Sequence, residues 1–303
     1  MDVLAEIRRG LAHLDDSGRM LPIMALPATA PAWVFREEGV FGVAVELADD
    51  RTVVEGFAGA RLATTERLVD GASRRLLRLE SSIQALRNEF SVVCAQMVEA
   101  GMNGATRAAL LADPAAWWER WRHLLGNAVS SRPSYDALAE LLAFERLLAQ
   151  GQRVDWRGPL GATVDLVTDA GGYEVKSTVS RYDSRIHVSG QFQLALSDSK
   201  PLFLVHYRFE PAPAGESING VCRRLVGSGM QAELLDDLLG RCGLEAGCSA
   251  RNETFRVLEA RLYVVDADFP RIVPSSFAGG TLPAGVVHVE YQVDLSGFAS
   301  APF

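Results

Sequence analysis

Between Ala162 and Thr178 the chain reads Ala-Thr-Val-Asp-Leu-Val-Thr-Asp-Ala-Gly-Gly-Tyr-Glu-Val-Lys-Ser-Thr, two β-type runs around an Asp-Ala-Gly-Gly turn. The runs Thr163 to Thr168 and Tyr173 to Thr178 are rich in β-branched residues, and glycine supplies the positive φ that tight turns demand. This spacing predicts a hairpin. Side chains alternate faces along a strand, so Glu174 and Lys176 share one face while Val175 takes the other. Asp165, on the partner strand, comes within reach of the face that carries Glu174 and Lys176. Two carboxylates and an ammonium on one end of a small sheet make a candidate metal site with a lysine beside it.

Phosphodiester hydrolysis gives a reason for this set. Mg²⁺ is held by one or two carboxylates together with water and substrate phosphate. The ion lowers the pKa of a bound water and offsets charge in the transition state. A lysine nearby can orient or deprotonate that water, because its pKa moves readily with its surroundings. Among the 30 basic residues only Lys176 and Lys200 are lysines, and the rest are arginines, which cannot act as tunable bases. In a chain that so favours arginine, a lysine next to Glu174 points to chemistry. The same three residues would also suit the solvent face of an ordinary hairpin.

The order Asp, about ten residues, Glu-x-Lys resembles the PD-(D/E)XK nuclease superfamily, with Val164 standing where the eponymous proline would be. More of the chain resembles a bacterial family of PD-(D/E)XK motif proteins, a domain of unknown function found beside methylases and helicase-like ATPases in restriction and phage-defence loci. The resemblance rests on Phe90-Ser-Val-Val-Cys, Ala139-Glu140-Leu-Leu, Trp156-Arg-Gly158-Pro159 and Val164-Asp165-Leu. It continues through Glu174-Val-Lys176-Ser-Thr, Ser189 with Gln193-Leu194, and Asp268-Phe-Pro-Arg-Ile.

The resemblance implies roles. Asp165 and Glu174 would be the principal Mg²⁺ ligands, with Mn²⁺ able to substitute and the Val175 carbonyl a further ligand. Glu140, from the helix before the hairpin, would be a further metal ligand, or would support a ligand or the attacking water. Lys176 would orient or activate that water, and Gln193 would orient Lys176 or touch the DNA backbone. Trp156 and Gly158 are expected to be structural. The implied activity is Mg²⁺-dependent DNA endonuclease cleavage by a metal-activated water, in an effector or subunit of a restriction or phage-defence system. The alternatives are a non-catalytic assembly subunit, or a nuclease for RNA or for branched or single-stranded DNA.

The fold class expected is α/β (α+β). An N-terminal α+β module over residues 1–128 is followed by a restriction-endonuclease-like core of a helix on a mixed sheet at 129–210. A C-terminal helix and strands at 211–303 complete or cap it. Within the first module, residues 1–20 read as a helix, and Ala32-Trp-Val-Phe, Gly42 to Leu47, Thr52 to Glu55 and Arg74 to Glu80 as strands. Ser82 to Met102 and Thr106 to Leu125 read as helices, with Trp117, Trp118 and Trp121 packed in the core. Ser134 to Gln150 is the clearest helix, with Ser134 as its N-cap and Gly151 as its stop. Glu140 falls among the apolar residues Leu138, Leu141, Leu142 and Phe144, where a carboxylate needs a reason. Arg185 to Ser189, Leu202 to Glu210, Thr254 to Val265 and Gly285 to Leu295 read as strands, and Ser217 to Cys242 as one helix.

A net charge of −8 speaks against nucleic acid as partner on its face. From Arg132 to Arg208, however, nine basic residues balance nine acidic ones, and Arg153, Arg157, Arg181 and Arg185 fall in loops around the acidic cluster. DNA remains the expected partner, reached with help from an ATPase or methylase subunit and through a homodimer or hetero-complex, since cutting both strands needs two sites. Cys94, Cys222, Cys242 and Cys248 have no metal-ligand spacing, which fits a reduced, cytoplasmic protein. Met1 to Leu14 lacks a signal peptide's apolar run, and Pro22, Pro27 and Pro31 break the apolar stretch Leu21 to Val34, so no membrane contact is expected. The five histidines form no cluster, and neither a P-loop nor a Gly-x-Ser-x-Gly elbow occurs.

Overall fold

The computed structural model describes residues 2–57, 59–69, 71–125, 133–196 and 200–303. The chain forms two compact units, Met1–Ser131 with Gly247–Ser249, and Arg132–Ala246 with Ala250–Phe303. The expected boundary at 128/129 lies outside the described residues, and the one at 210/211 falls inside a continuous strand.

The first unit runs α1 (Val3–His13), β1 (Ser17–Pro22), β2 (Ala32–Glu37), β3 (Val40–Glu46), β4 (Val54–Phe57), β5 (Ala60–Val69), β6 (Ala72–Ser81), α2 (Arg87–Val98), α3 (Ala105–Ala112) and α4 (Pro114–Leu125). Its strands form one antiparallel sheet in the order β1-β2-β3-β6-β5-β4. The middle strands are apolar on both faces. On one face Val34, Val43, Val45, Leu77 and Leu79 join Ile7 and Leu11 of α1 and Val93, Cys94 and Met97 of α2 in a single core. On the other face Trp33, Phe35, Ala44, Val69 and Leu76 form a smaller cluster. There the Arg78 guanidinium lies over the Phe35 ring at 4.0 Å, an apolar patch covered by a cation rather than a helix.

Two expectations for this unit are corrected, and one strand is added. The helix over residues 1–20 ends at His13, and Ser17–Pro22 pairs with β2 instead, because Asp15, Asp16 and Gly18 interrupt the helical period. β5 is a strand the sequence does not announce, since its polar run Thr-Thr-Glu-Arg carries little apolar signal. The helix over Thr106 to Leu125 is two helices, parted at Asp113 by Pro114, which cannot continue the preceding turn. Trp117 and Trp118 are buried in the core as the helical spacing requires.

The second unit runs α5 (Ser134–Ala149), β7 (Val154–Trp156), β8 (Leu166–Thr168), β9 (Gly172–Thr178), β10 (Arg185–Val188), β11 (Leu202–Glu216), α6 (Ile218–Gly227), α7 (Ala232–Arg241), β12 (Phe255–Val265), β13 (Tyr291–Asp294) and β14 (Ala301–Pro302). A mixed sheet in the order β14-β12-β11-β9-β8-β7 forms its centre. β9 and β11 are its parallel pair, with Lys176 opposite His206 and Glu174 opposite Leu204. α5 packs on one face, where the Tyr135 and Phe255 rings meet edge to face at 5.8 Å. On the other face a ribbon of β10 and β13 shares a core with β11 and β12 through Ile186, Val188, Leu204, Tyr263 and Val293.

The expected α/β class with a helix on a mixed sheet is the fold found. The departures are local. Pro133, not Ser134, stands at the N-cap of α5, and the Ser134 hydroxyl donates to Glu253. The helix expected over Ser217 to Cys242 breaks at Ser228-Gly229, where Gly229 takes a φ of 101°. β10 pairs with β13, which is confined to Tyr291–Asp294 within the strand expected over Gly285 to Leu295. No helix among the described residues is long and apolar enough to cross a membrane.

Candidate active site

The hairpin of β8 and β9 holds its register through Leu166 opposite Tyr173 and Val167 opposite Gly172. The Thr168 hydroxyl accepts from the amides of Ala170 and Gly171 at 3.1 and 3.2 Å, a local turn bond of the kind threonine makes. Lys200, the second of the two lysines, donates to the Thr168 carbonyl at 2.9 Å and so fastens the turn.

Asp165 sits one residue before β8 and is fixed at both ends. Its carbonyl accepts from the amides of Arg157 and Gly158 at 2.7 and 3.0 Å. Its carboxylate Oδ2 accepts from the Val175 amide at 2.8 Å. Glu174 and Lys176 share a face as the alternation requires, with Lys176 Nζ 2.9 Å from Glu174 Oε1. Glu174 is 1% exposed and Asp165 9%, so the reading of these residues as a solvated hairpin face does not hold. Lys176 Nζ also donates to Gln193 Oε1 at 3.3 Å, and the same oxygen accepts from the Ser189 amide at 2.8 Å. Gln193 is thereby placed to hold the lysine.

Glu140 comes from α5 and is fully buried. Trp156 on β7 donates its indole N–H to Glu140 Oε2 at 2.6 Å, while its ring packs 6.5 Å from that of Phe144. Gly158 completes the arrangement. A Cβ there would stand 2.5 Å from Glu140 Oε2 and 2.9 Å from Asp165 Oδ1, so both carboxylates crowd onto this one glycine. Gly158→Ala should therefore push the two carboxylates aside and destabilise the protein by about 2 kcal/mol, the usual scale of overpacking. A urea titration checks the stability loss, and an unchanged midpoint would show that the loop yields freely.

The electrostatics have one direction. Burial first, and the neighbouring Asp165 carboxylate second, push the Glu174 carboxyl up to about 8, with Lys176 pulling the other way. Three acids share this pocket with one ammonium, and the raised Glu174 carboxyl shows that a second buried negative charge beside Asp165 is disfavoured here. A divalent cation with hard oxygen ligands would offset that charge, and Asp165 and Glu174 have the donor chemistry for it. Among the described residues no group of three or more His, Cys, Asp or Glu side chains could by itself hold an ion. A cation here would rest on two carboxylates, a carbonyl and water, with Glu140 tied to Trp156.

Two residues beside the site are given no role by a reading of the sequence. Arg271, in the stretch Asp268 to Ile272, donates to the Leu194 carbonyl at 3.2 Å and so reaches the loop of Gln193. His206 lies opposite Lys176 in the parallel ladder, buried, its Nε2 without a hydrogen-bond partner among the described residues. Burial, and then the Arg208 charge, pull its pKa down to about 4. A depressed histidine contributes stability above its unfolded pKa that is lost as pH falls through the folded one. The window is therefore about pH 6.5 to 4, and the loss about 3 kcal/mol. Thermal melts across that range should show a shallower acid slope for His206→Leu than for wild type; parallel slopes would place the titration elsewhere. No local signal marks His206, because the register of a parallel pair depends on the whole crossover between the strands.

No curated protein and no solved structure matches this chain. Residues 49–296, which hold the hairpin, Glu140, Gln193 and Arg271, match the family model described as "Putative PD-(D/E)XK family member" (DUF4420), and the chain belongs to that family.

Proposed function

We propose that this protein is a Mg²⁺-dependent endonuclease that hydrolyses DNA phosphodiesters with a metal-activated water. The observation that carries the reading is the buried pair of Asp165 and Glu174 with Lys176 Nζ 2.9 Å from Glu174. Asp165, Glu174 and the Val175 carbonyl would hold the ion, for which Mn²⁺ can stand in. When bound, it would acidify a water and offset charge on the phosphoryl oxygens. Lys176, steered by Gln193, would orient that water and would either donate to a phosphate oxygen as the ammonium or, as the neutral amine, accept the water's proton. Glu140, held by the Trp156 indole, would serve as a further ligand or support the attacking water. Asp165 and Glu174 are buried, which strengthens their interactions relative to water.

A net charge of −8 favours delivery to DNA by another subunit, as in a restriction or phage-defence assembly with a helicase-like ATPase or methylase. Two copies, or a hetero-complex, would cut both strands. The test is a substrate panel of supercoiled plasmid, linear duplex, single-stranded DNA and RNA, with Mg²⁺, Mn²⁺ or EDTA. Nicking of DNA that EDTA abolishes is expected. Cleavage of RNA with every DNA substrate left intact would overturn the assignment.

A further inference from the structure

On β11 and β12 the face that carries Lys176 changes character. Around Leu202, Leu204, Tyr263 and Val265 it is apolar and covered by the β10–β13 ribbon. Beyond His206 it becomes ionic. Thr178 lies opposite Arg208 in the parallel ladder, so Arg208 projects on the Lys176 side of the sheet, one strand over and about 7 Å along it.

Two arginine pairs each share one glutamate there. Glu259 accepts from Arg208 Nη2 at 2.5 Å and from Arg261 Nη2 at 2.6 Å. Glu210 accepts from Arg181 Nη2 at 2.6 Å and from Arg256. Arg208 also donates to the Arg181 carbonyl and links the two groups. Four guanidiniums against two carboxylates leave a surplus of two positive charges in a chain of net charge −8. The neighbouring Arg185 is cancelled by Asp183. The layering is also directional: the Arg181 and Arg256 side chains are 59% and 61% exposed, over a Glu210 that is 14% exposed.

From this geometry we propose that the double Arg–Glu–Arg patch of Arg181, Arg256, Arg208 and Arg261 binds the phosphate backbone of a nucleic-acid strand running on from the Lys176 site. The inference rests on the reading of that site as a nuclease and adds where the substrate lies. A glutamate beneath each pair fixes the planar forks before the ligand arrives, which suits bidentate recognition of phosphate oxygens. Such contacts carry no base information, so the patch contributes affinity and register rather than sequence preference.

The test is fluorescence anisotropy of the full chain with a labelled duplex oligonucleotide over a salt series, in Ca²⁺ to hold back cleavage. Wild type is compared with Arg181→Gln/Arg256→Gln, the charge-keeping Arg181→Lys/Arg256→Lys, and Arg241→Gln from an exposed ion pair on α7. The glutamine pair should weaken binding more than tenfold at low salt and reduce the slope of log K against log salt by about 2. The lysine pair should keep the slope, and Arg241→Gln should behave as wild type. Circular dichroism melts confirm that each variant folds. Equal slopes for wild type and the glutamine pair, with the duplex bound, would overturn the patch and leave the nuclease reading standing. No duplex binding by wild type at the lowest salt would also overturn the patch, while the nuclease reading stands or falls on the cleavage panel.

Discussion

Lys176→Ala should lower the single-turnover rate of phosphodiester cleavage by about 10³-fold while leaving divalent-metal binding within a few-fold of wild type. The size follows from what one positioned acid–base or charge-stabilising group supplies, between about 10² and 10⁴. The selectivity follows from geometry: the ammonium touches Glu174 and Gln193 but is not itself a ligand for a cation. Lys176→Arg separates its two roles. Arginine keeps the charge and can stabilise phosphate oxygens, yet it cannot take a proton. If the lysine works only as a fixed charge, arginine restores most of the rate; if it takes the proton, arginine is as slow as alanine. Calorimetric titration with Mn²⁺ beside the kinetics completes the test, and a rate unchanged in Lys176→Ala would remove the residue from the chemistry.

Glu174→Gln should stabilise the metal-free protein at pH 8 while abolishing cleavage. Burial and Asp165 hold the Glu174 carboxyl up to about 8, against an ordinary value near 4.5. The folded protein therefore binds more protons than the unfolded chain across that window, and stability falls as pH rises through it. The stability is fully present below about pH 4.5 and is lost by about pH 8, with a difference on the order of 5 kcal/mol. Glutamine is neutral at every pH and keeps the shape, so it removes the slope and gives up only the contact with Lys176. A cation bound by the ionised carboxylates reverses the trend in wild type alone, since metal binding releases the proton. Thermal melts from pH 5 to 8, with and without Mg²⁺, read both effects. Equal pH slopes in wild type and Glu174→Gln would show that the buried charge is balanced by other means.

Much of this site is legible in the sequence because its signals are local. The period-2 alternation of Glu174, Val175 and Lys176, with two glycines before it, needs only strand geometry to be read. Glu140 stands out as a carboxylate inside an apolar helical stripe, and it is fully buried. Where the period is interrupted, the reading fails. Asp15 and Gly18 end α1 early, Pro114 divides α3 from α4, and Gly229 divides α6 from α7. Long-range pairings give no signal at all. β10 and β13 are more than a hundred residues apart, and their pairing is set by a shared core rather than by any turn. The parallel register that brings His206 beside Lys176, and Arg208 onto the same face, arises in the same way. The family resemblance implies structural roles for Trp156 and Gly158. The structure shows the contacts involved: an indole N–H on Glu140, and a missing Cβ that leaves room for two carboxylates.

The most direct test of the account compares wild type with Asp165→Asn on supercoiled plasmid in Mg²⁺. Asparagine can still accept from the Val175 amide, so the loop keeps its anchor, while a charged oxygen ligand is lost. Wild type should nick the plasmid in Mg²⁺ and not in EDTA, and Asp165→Asn, melting at the wild-type temperature, should leave it supercoiled. Nicking by Asp165→Asn at the wild-type rate would contradict the account, because the buried carboxylate pair would then not be where the cation acts.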